Sequence, residues 1–212
     1  MAKVENLPPV PAGWMVDGSA SGDLNGDGIS DIAVILRKTD PKLVRKNEGL
    51  GESVIDSNPR RLVVYFRNGS AFREAAASSR LLPPAGSEDS PCLADPLSEG
   101  GISIAQQVLS VSLNYWMSCG GWGTSKNTYK FKREGVRFRL IGFDHMEFMR
   151  NSGEGEEVSV NFLTGRKSQT PFAIDDSIPK KLNWSRIKPQ RLYLDSLDLQ
   201  TCPQIDKNTA LC

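Results

Sequence analysis

Three carboxylates and one amide fall at Asp23-x-Asn25-x-Asp27-Gly28-x-x-Asp31, a spacing whose chemistry is the ligation of a hard cation. Calcium takes about six to eight oxygen donors, and donors at alternate positions converge on one point when the chain coils tightly. Gly28 permits the sharp turn that this coiling needs. On this reading Asp23, Asn25 and Asp27 ligate through their side chains, Ile29 through its backbone carbonyl, and Asp31 closes the cage. An EF-hand carries a bidentate Glu at position 12 and a following helix, whereas position 12 here is Val34 and Ile32-Ala33-Val34-Ile35-Leu36 reads as a strand. The expected cofactor is therefore Ca2+ in a strand-linked loop. The alternative is an acidic turn with no ion, in which the three carboxylates repel one another unrelieved. Extracellular calcium modules bind at about 10⁻⁴–10⁻³ M, an affinity that suits the cell envelope or the medium.

The rest of the chain offers less chemistry. Its one histidine stands in Asp144-His145-x-Glu147, where a hydrolase could use it as a base oriented by a carboxylate. No G-x-S-x-G or other nucleophile context accompanies it, so a turn residue with local hydrogen bonds is the simpler reading. Trp116 and Trp122 flank the Gly-rich stretch YWMSCGGWG; exposed on a loop they suit stacking on a sugar ring or a partner, and buried they would be core. In the Tyr129–Leu140 hairpin Tyr129, Phe131, Val136, Phe138 and Leu140 should share one face. Lys130, Lys132, Arg137 and Arg139 then crowd the other. Paired strands that carry facing like charges ask for an anionic cover, either Glu154, Glu156 and Glu157 from this chain or an acidic patch on a partner.

Cys92, Cys119, Cys202 and Cys212 allow two disulfides in three connectivities. In an exported protein the expected pairing is Cys92–Cys119 and Cys202–Cys212; in a cytosolic one all four would be unpaired. Met1-Ala2-Lys3 leads straight into a polar, Pro-rich arm with no signal-peptide pattern, which taken literally means cytosolic. The calcium chemistry favours instead a periplasmic or secreted mature chain with a replacement start codon. The 212 residues carry 26 Lys plus Arg against 25 Asp plus Glu, a formal charge of +1, which argues against nucleic acid as a partner. The longest apolar run, Ile32–Leu36, is far too short to span a membrane, which takes about 20 residues.

The elements that must position these residues read as strands. Ile32–Leu36 and Arg61–Arg67 are strand candidates, and Asn68-Gly69 is a hairpin signal leading into Ala71–Ala77. Residues 38–60 and 83–101 read as long loops, and Ala75–Ser79 offers a short helical turn. Ile102–Ala105, Val108–Tyr115, Tyr129–Lys132, Val136–Leu140, Val158–Phe162 and Leu192–Leu194 complete the set. The expected fold is mainly β: an antiparallel twisted meander or two packed sheets with long loops and the calcium loop at the N-terminal side. An extended arm covers 1–13 and a single domain 14–212, with the tail 171–212 packed on it.

GDLNGDGISDIAVIL resembles the calcium loop and following strand of the FG-GAP/VCBS repeats of integrin-α-type propellers. Together with RLVVYFRNG, YKFKREGVRFRLIGFD and EVSVNFLTGRK, it resembles a group of uncharacterised exported bacterial β-rich proteins over roughly residues 20–167, with a weaker echo in KPQRLYLDSLDL. The resemblance implies calcium ligation by Asp23, Asn25, Asp27, Ile29 and Asp31, and no enzymatic activity. The functional expectation is thus a non-enzymatic, calcium-stabilised envelope domain that binds another protein, in the manner of an inhibitor or immunity protein blocking a periplasmic enzyme. A glycan-binding module using Trp116 and Trp122 is the alternative, and a hydrolase built on His145 the third.

Overall fold

Alternation of apolar and polar residues and an abundance of Gly-containing turns drive nearly every regular segment of the chain into antiparallel strands. The computed structural model describes residues 7–212; part of the N-terminal arm expected at 1–13 lies outside them. The strands are β1 (Trp14–Gly22), β2 (Asp31–Lys38), β3 (Val44–Lys46), β4 (Val54–Asp56), β5 (Arg60–Asn68) and β6 (Ala71–Ser78) in the first part. They continue with β7 (Gly101–Ala105), β8 (Val108–Trp116), β9 (Gly123–Glu134), β10 (Arg137–Met149), β11 (Glu154–Asn161) and β12 (Arg166–Ala173). Three short strands close the chain: β13 (Asn183–Arg186), β14 (Gln204–Asp206) and β15 (Thr209–Ala210). A four-stranded sheet in the order β1-β2-β5-β6 packs on a seven-stranded sheet in the order β13-β12-β11-β10-β9-β8-β7, with small ribbons β3-β4 and β14-β15 at the periphery. The fold is mainly β and antiparallel, with two packed sheets, as the sequence implies.

One apolar cluster joins the sheets. Ala33, Ile35, Leu62, Val64 and Phe66 of the smaller sheet meet Leu109, Val111, Tyr129, Phe131, Phe138, Leu140 and Phe143 of the larger. Strand β2 is central and buried on both faces, which is why it reads as a continuous apolar run; Ile32, Val34 and Leu36 turn outward beneath Trp14, Tyr65 and Phe72. The tail fills the remaining side. Leu194, Leu197, Ile205 and Leu211 enter the same core, and the Tyr129 hydroxyl donates to the Leu211 carbonyl. Leu192–Leu194 forms no full strand: its backbone bonds to Phe138 and Leu140 on the stretch of β10 that β11 does not reach.

Several expectations change. The segment 38–60 is not a featureless loop, for it contains a 3₁₀ turn at Pro41–Leu43 and the β3-β4 ribbon. Ala75–Ser79 holds no helical turn, because Ala71–Ser78 pairs with β5 through the Asn68-Gly69 hairpin. Val136 does not share the apolar face of its hairpin. It is the second residue of the two-residue turn Gly135-Val136, where Gly135 takes a φ of +62° that suits glycine, and it is 86% exposed.

Buried charge fixes how the sheets meet their loops. A bulge between Val16 and Gly18 accompanies the turn of Asp17 toward Arg37 (3.2 Å) and Arg60 (2.6 Å). Arg60, 2% exposed, grips Asp95 through both terminal nitrogens at 2.7 and 2.6 Å and the Pro83 carbonyl at 3.2 Å. Burial alone would lower the Arg60 pKa, but Asp95 and Asp17 outweigh it and raise it. The Pro-rich segment 83–101 is thereby clamped to the smaller sheet at one point, and Cys92 clamps it at another.

Candidate functional site

The loop between β1 and β2 is folded by its own side chains. Asp23 accepts from the amides of Asn25 (3.1 Å), Gly26 (2.6 Å) and Gly28 (3.1 Å). Asn25 Oδ1 accepts from Asp27 N at 2.8 Å, and Asp27 Oδ1 accepts from Ile29 N at 2.7 Å. Gly26 and Gly28 take φ values of +84° and +80°, conformations that side chains resist. The Gly26 amide, with Gly28 and Asn25, holds the Asp23 carboxyl below its ordinary pKa, against the opposing effect of desolvation. Asp31 sits apart from this turn: fully buried, it accepts from Leu24 N (2.9 Å) and Arg67 N (3.0 Å), tying the loop to β5. Ile29 lies at the exposed outer side of the loop. Among the described residues no group of three or more His, Cys, Asp or Glu side chains is gathered to hold a metal ion. The donors that share the turn are oxygens, the class calcium prefers, so the residues fit a hard cation in kind.

The cysteines pair as Cys92–Cys119 and Cys202–Cys212, with Cα separations of 5.4 and 5.1 Å, and no free cysteine is left. Such bridges persist in oxidising compartments. No helix among the described residues is long and apolar enough to cross a membrane. The first bridge fixes a short ladder: Ala94 N donates to Trp116 O (2.9 Å), Ser118 N to Cys92 O (2.8 Å), and Leu93 faces Met117. The aromatic stretch is also held from the other side. Arg150 donates to the carbonyls of Met117 (3.0 Å) and Gly121, and its guanidinium lies 4.9 Å from the Trp116 ring centre. Trp116 and Trp122 are 43% and 56% exposed.

This pinned ladder walls a groove of about 340 Å³ at the open end of the larger sheet. Across β8 to β11 the residues facing the core form rows. Val111, Tyr129, Phe143 and Val160 are fully buried, followed by Leu113, Asn127, His145 and Val158. The next row, Tyr115, Ser125, Glu147 and Glu156, lines the groove together with Leu93, Met117, Met149 and Glu154. No residue of the four-stranded sheet lines it. Neither the row nor its carboxylates is visible as a site in the sequence unless β10 and β11 are carried to Met149 and back to Glu154. The signal available was the Glu147-x-Met149 and Glu154-x-Glu156 alternation.

Strand alternation also divides the histidine motif. Asp144 turns to the outer face, where it meets Lys130 and accepts from Ser159 Oγ at 2.7 Å. His145 turns inward to Asn127 Oδ1 (2.6 Å) and Glu147 (3.4 Å). Of the expected cover for the basic face, Glu154 and Glu156 point to the opposite side of the sheet, and Glu157 shares the basic face but joins no ion pair among the described residues. Lys130 pairs with Asp144, Arg139 with Glu134 (2.9 Å), and Arg137 with Asp195 while stacking 3.9 Å over Tyr193. Lys132 joins no ion pair among the described residues; it lies beside Asn25, Gln107 and Arg133, next to the acidic loop.

Comparison with known proteins returns no matching family model, no matching curated protein and no matching solved structure.

Proposed function

We propose that the chain is a non-enzymatic, calcium-stabilised β domain of the periplasm or the extracellular medium that acts by binding another protein, as an inhibitor or immunity-type protein blocks an enzyme. The observation that carries the reading is the groove at the open end of the larger sheet. It is an apolar floor left uncovered by the second sheet and walled by a disulfide-held ladder, a rigid concavity of the kind that partners use. The two disulfides support an oxidising compartment. The Asx-turned loop joins the first two strands of a four-stranded antiparallel sheet, in keeping with a single FG-GAP/VCBS-like loop. Asp23, Asn25, Asp27 and the Ile29 carbonyl would hold the ion, with Asp31, the fifth expected ligand, tying the loop to β5 from its buried position; the ion would neutralise the loop and brace β1 against β2.

The test is affinity isolation from envelope extract in millimolar calcium, followed by light scattering on the purified complex. The expected result is one protein in a defined ratio to this chain; repeated recovery of none contradicts the reading. Trp122, exposed on its turn, favours a glycan-binding module as the second reading. Retention on peptidoglycan that is lost in Trp122→Ala, with no protein recovered, would decide for it.

A further inference from the structure

We infer that the groove takes a lysine or arginine side chain presented by an otherwise apolar segment of the protein partner. The inference rests on the protein-binding reading and names the surface and the chemistry that the reading leaves open. The groove has two unlike parts. Tyr115, Met117, Met149 and Leu93 supply the apolar floor and wall, and Glu147, Glu154 and Glu156 supply the charge; no lysine or arginine among the described residues lines it. Its volume lies at the small end of the roughly 300–1,000 Å³ of ligand pockets, room for a side chain or two. Methionines adapt to an inserted aliphatic chain, and a long cationic residue lays its methylenes on such a floor while its head reaches the carboxylates.

The placement of the carboxylates is costly for the free chain. Glu147 stands directly opposite Glu156 on neighbouring antiparallel strands, where like charges destabilise. Glu154 lies two residues along β11 on the same face. The relief found within the chain is slight: Gln169 donates to Glu156 at 2.7 Å, and His145 lies 3.4 Å from Glu147. No salt bridge among the described residues reaches Glu154 or Glu156, whereas on the opposite face three of the four hairpin cations have found carboxylates. A like-charge pair kept at the mouth of an apolar groove, with no Lys or Arg of the described residues paired to it, is complementary to a cation from outside.

The experiment titrates the full ¹⁵N-labelled chain with three capped Gly/Ser peptides that differ only in a central Leu-Lys-Leu, Leu-norleucine-Leu or Leu-Glu-Leu. The lysine peptide should shift the amides of Gly123–Ser125, Glu147–Met149 and Glu154–Glu156, bind at least tenfold tighter than the other two, and lose about tenfold in a Glu147→Gln/Glu156→Gln double variant. That variant should melt about 1–3 °C higher, because the substitution removes the repulsion. Equal binding of the norleucine peptide, shifts scattered away from the groove, or a lowered melting temperature would overturn the inference. So would concentration-dependent self-association abolished by the same variant, with the exposed Lys180–Arg186 segment of a second copy as occupant. The two claims fail separately: a partner that binds the double variant undiminished removes the inference and leaves the protein-binding reading, while absence of any partner removes the reading and leaves the peptide titration to judge the groove.

Discussion

Replacing Arg60 by Met tests whether buried charge holds the groove wall in place. The guanidinium makes two bonds to Asp95, one to Asp17 and one to Pro83 O, and it is 2% exposed. Methionine preserves much of the volume, so cavity formation contributes little and the loss is electrostatic. Asp17 keeps Arg37 at 3.2 Å, but Asp95 loses its only cation among the described ion pairs. Removing one partner of a buried pair costs about 3–5 kcal/mol. In a chain of this length each kcal/mol lowers the melting temperature by about 2–4 °C, so the transition should fall by roughly 6–20 °C. Calorimetry with disulfides intact measures it, and Arg60→Met/Asp95→Asn should recover part of the loss by removing the stranded charge. Because Asp95 lies three residues from Cys92, the single variant should also loosen Leu93 and Ala94, read as faster amide exchange there. A drop below about 1 kcal/mol, or a double variant worse than the single, would show that the buried Arg60–Asp95 pair does not hold this segment.

Other outcomes follow from the same structure. Cys92→Ala/Cys119→Ala opens a 27-residue loop and should cost about 3.5 kcal/mol by chain entropy, with the affinity for any groove ligand falling too. Calcium at ten times its Kd should add about 1.4 kcal/mol, a rise of roughly 3–6 °C; no shift relative to chelator, in the native chain as in Asp27→Ala, would refute calcium binding. Acid should unfold the protein from below about pH 4. Asp56 and Asp206 are raised by burial but held low overall by Asn58 with Arg37 and by Lys167, and Asp23 is held low by the Gly26 amide. Carboxyls with depressed folded pKa values contribute stability above their ordinary value of about 3.9 that disappears as pH falls through the folded value, so stability flat down to pH 2 would contradict these contacts. Lys167→Met strands Asp206 and removes the bond to Thr209. It should release β14 and β15 to limited proteolysis before the sheets unfold.

Some elements were legible because their signals are local. The run Ile32–Leu36 shows a strand buried on both faces, Asn68-Gly69 a tight hairpin, and Ile102–Ala105 with Val108–Tyr115 a pair. The Cys92–Cys119 and Cys202–Cys212 pairing was legible as well. Strand β1 was not, because WMVDGSASG has small residues in place of alternating apolar ones and a bulge at Asp17 breaks its period. Strand β12 hid for a different reason. Its buried Lys167 is satisfied by Asp206 and Thr209 about forty residues away, and Pro171 is tolerated because β13 pairs only with Arg166–Gln169. The Asx turns of the acidic loop follow from its residue types, yet the role of Asp31 as a buried tie to Arg67 on β5 needs the register of β2 with β5. The groove was illegible for the same kind of reason: it exists where one sheet outlasts the other, a property of two packed layers that no window of sequence contains.

Photocrosslinking shows whether a protein docks at the open end of the larger sheet. Met149 in the groove and Val136 on the remote hairpin turn are each replaced by a photoreactive residue, and each variant is irradiated in envelope extract containing calcium. A single crosslinked protein is expected from position 149, absent from position 136 and lost when Glu147→Gln and Glu156→Gln are added. Crosslinks of equal yield at both positions, or none at 149 while a partner is recovered by affinity isolation, would contradict docking at the groove.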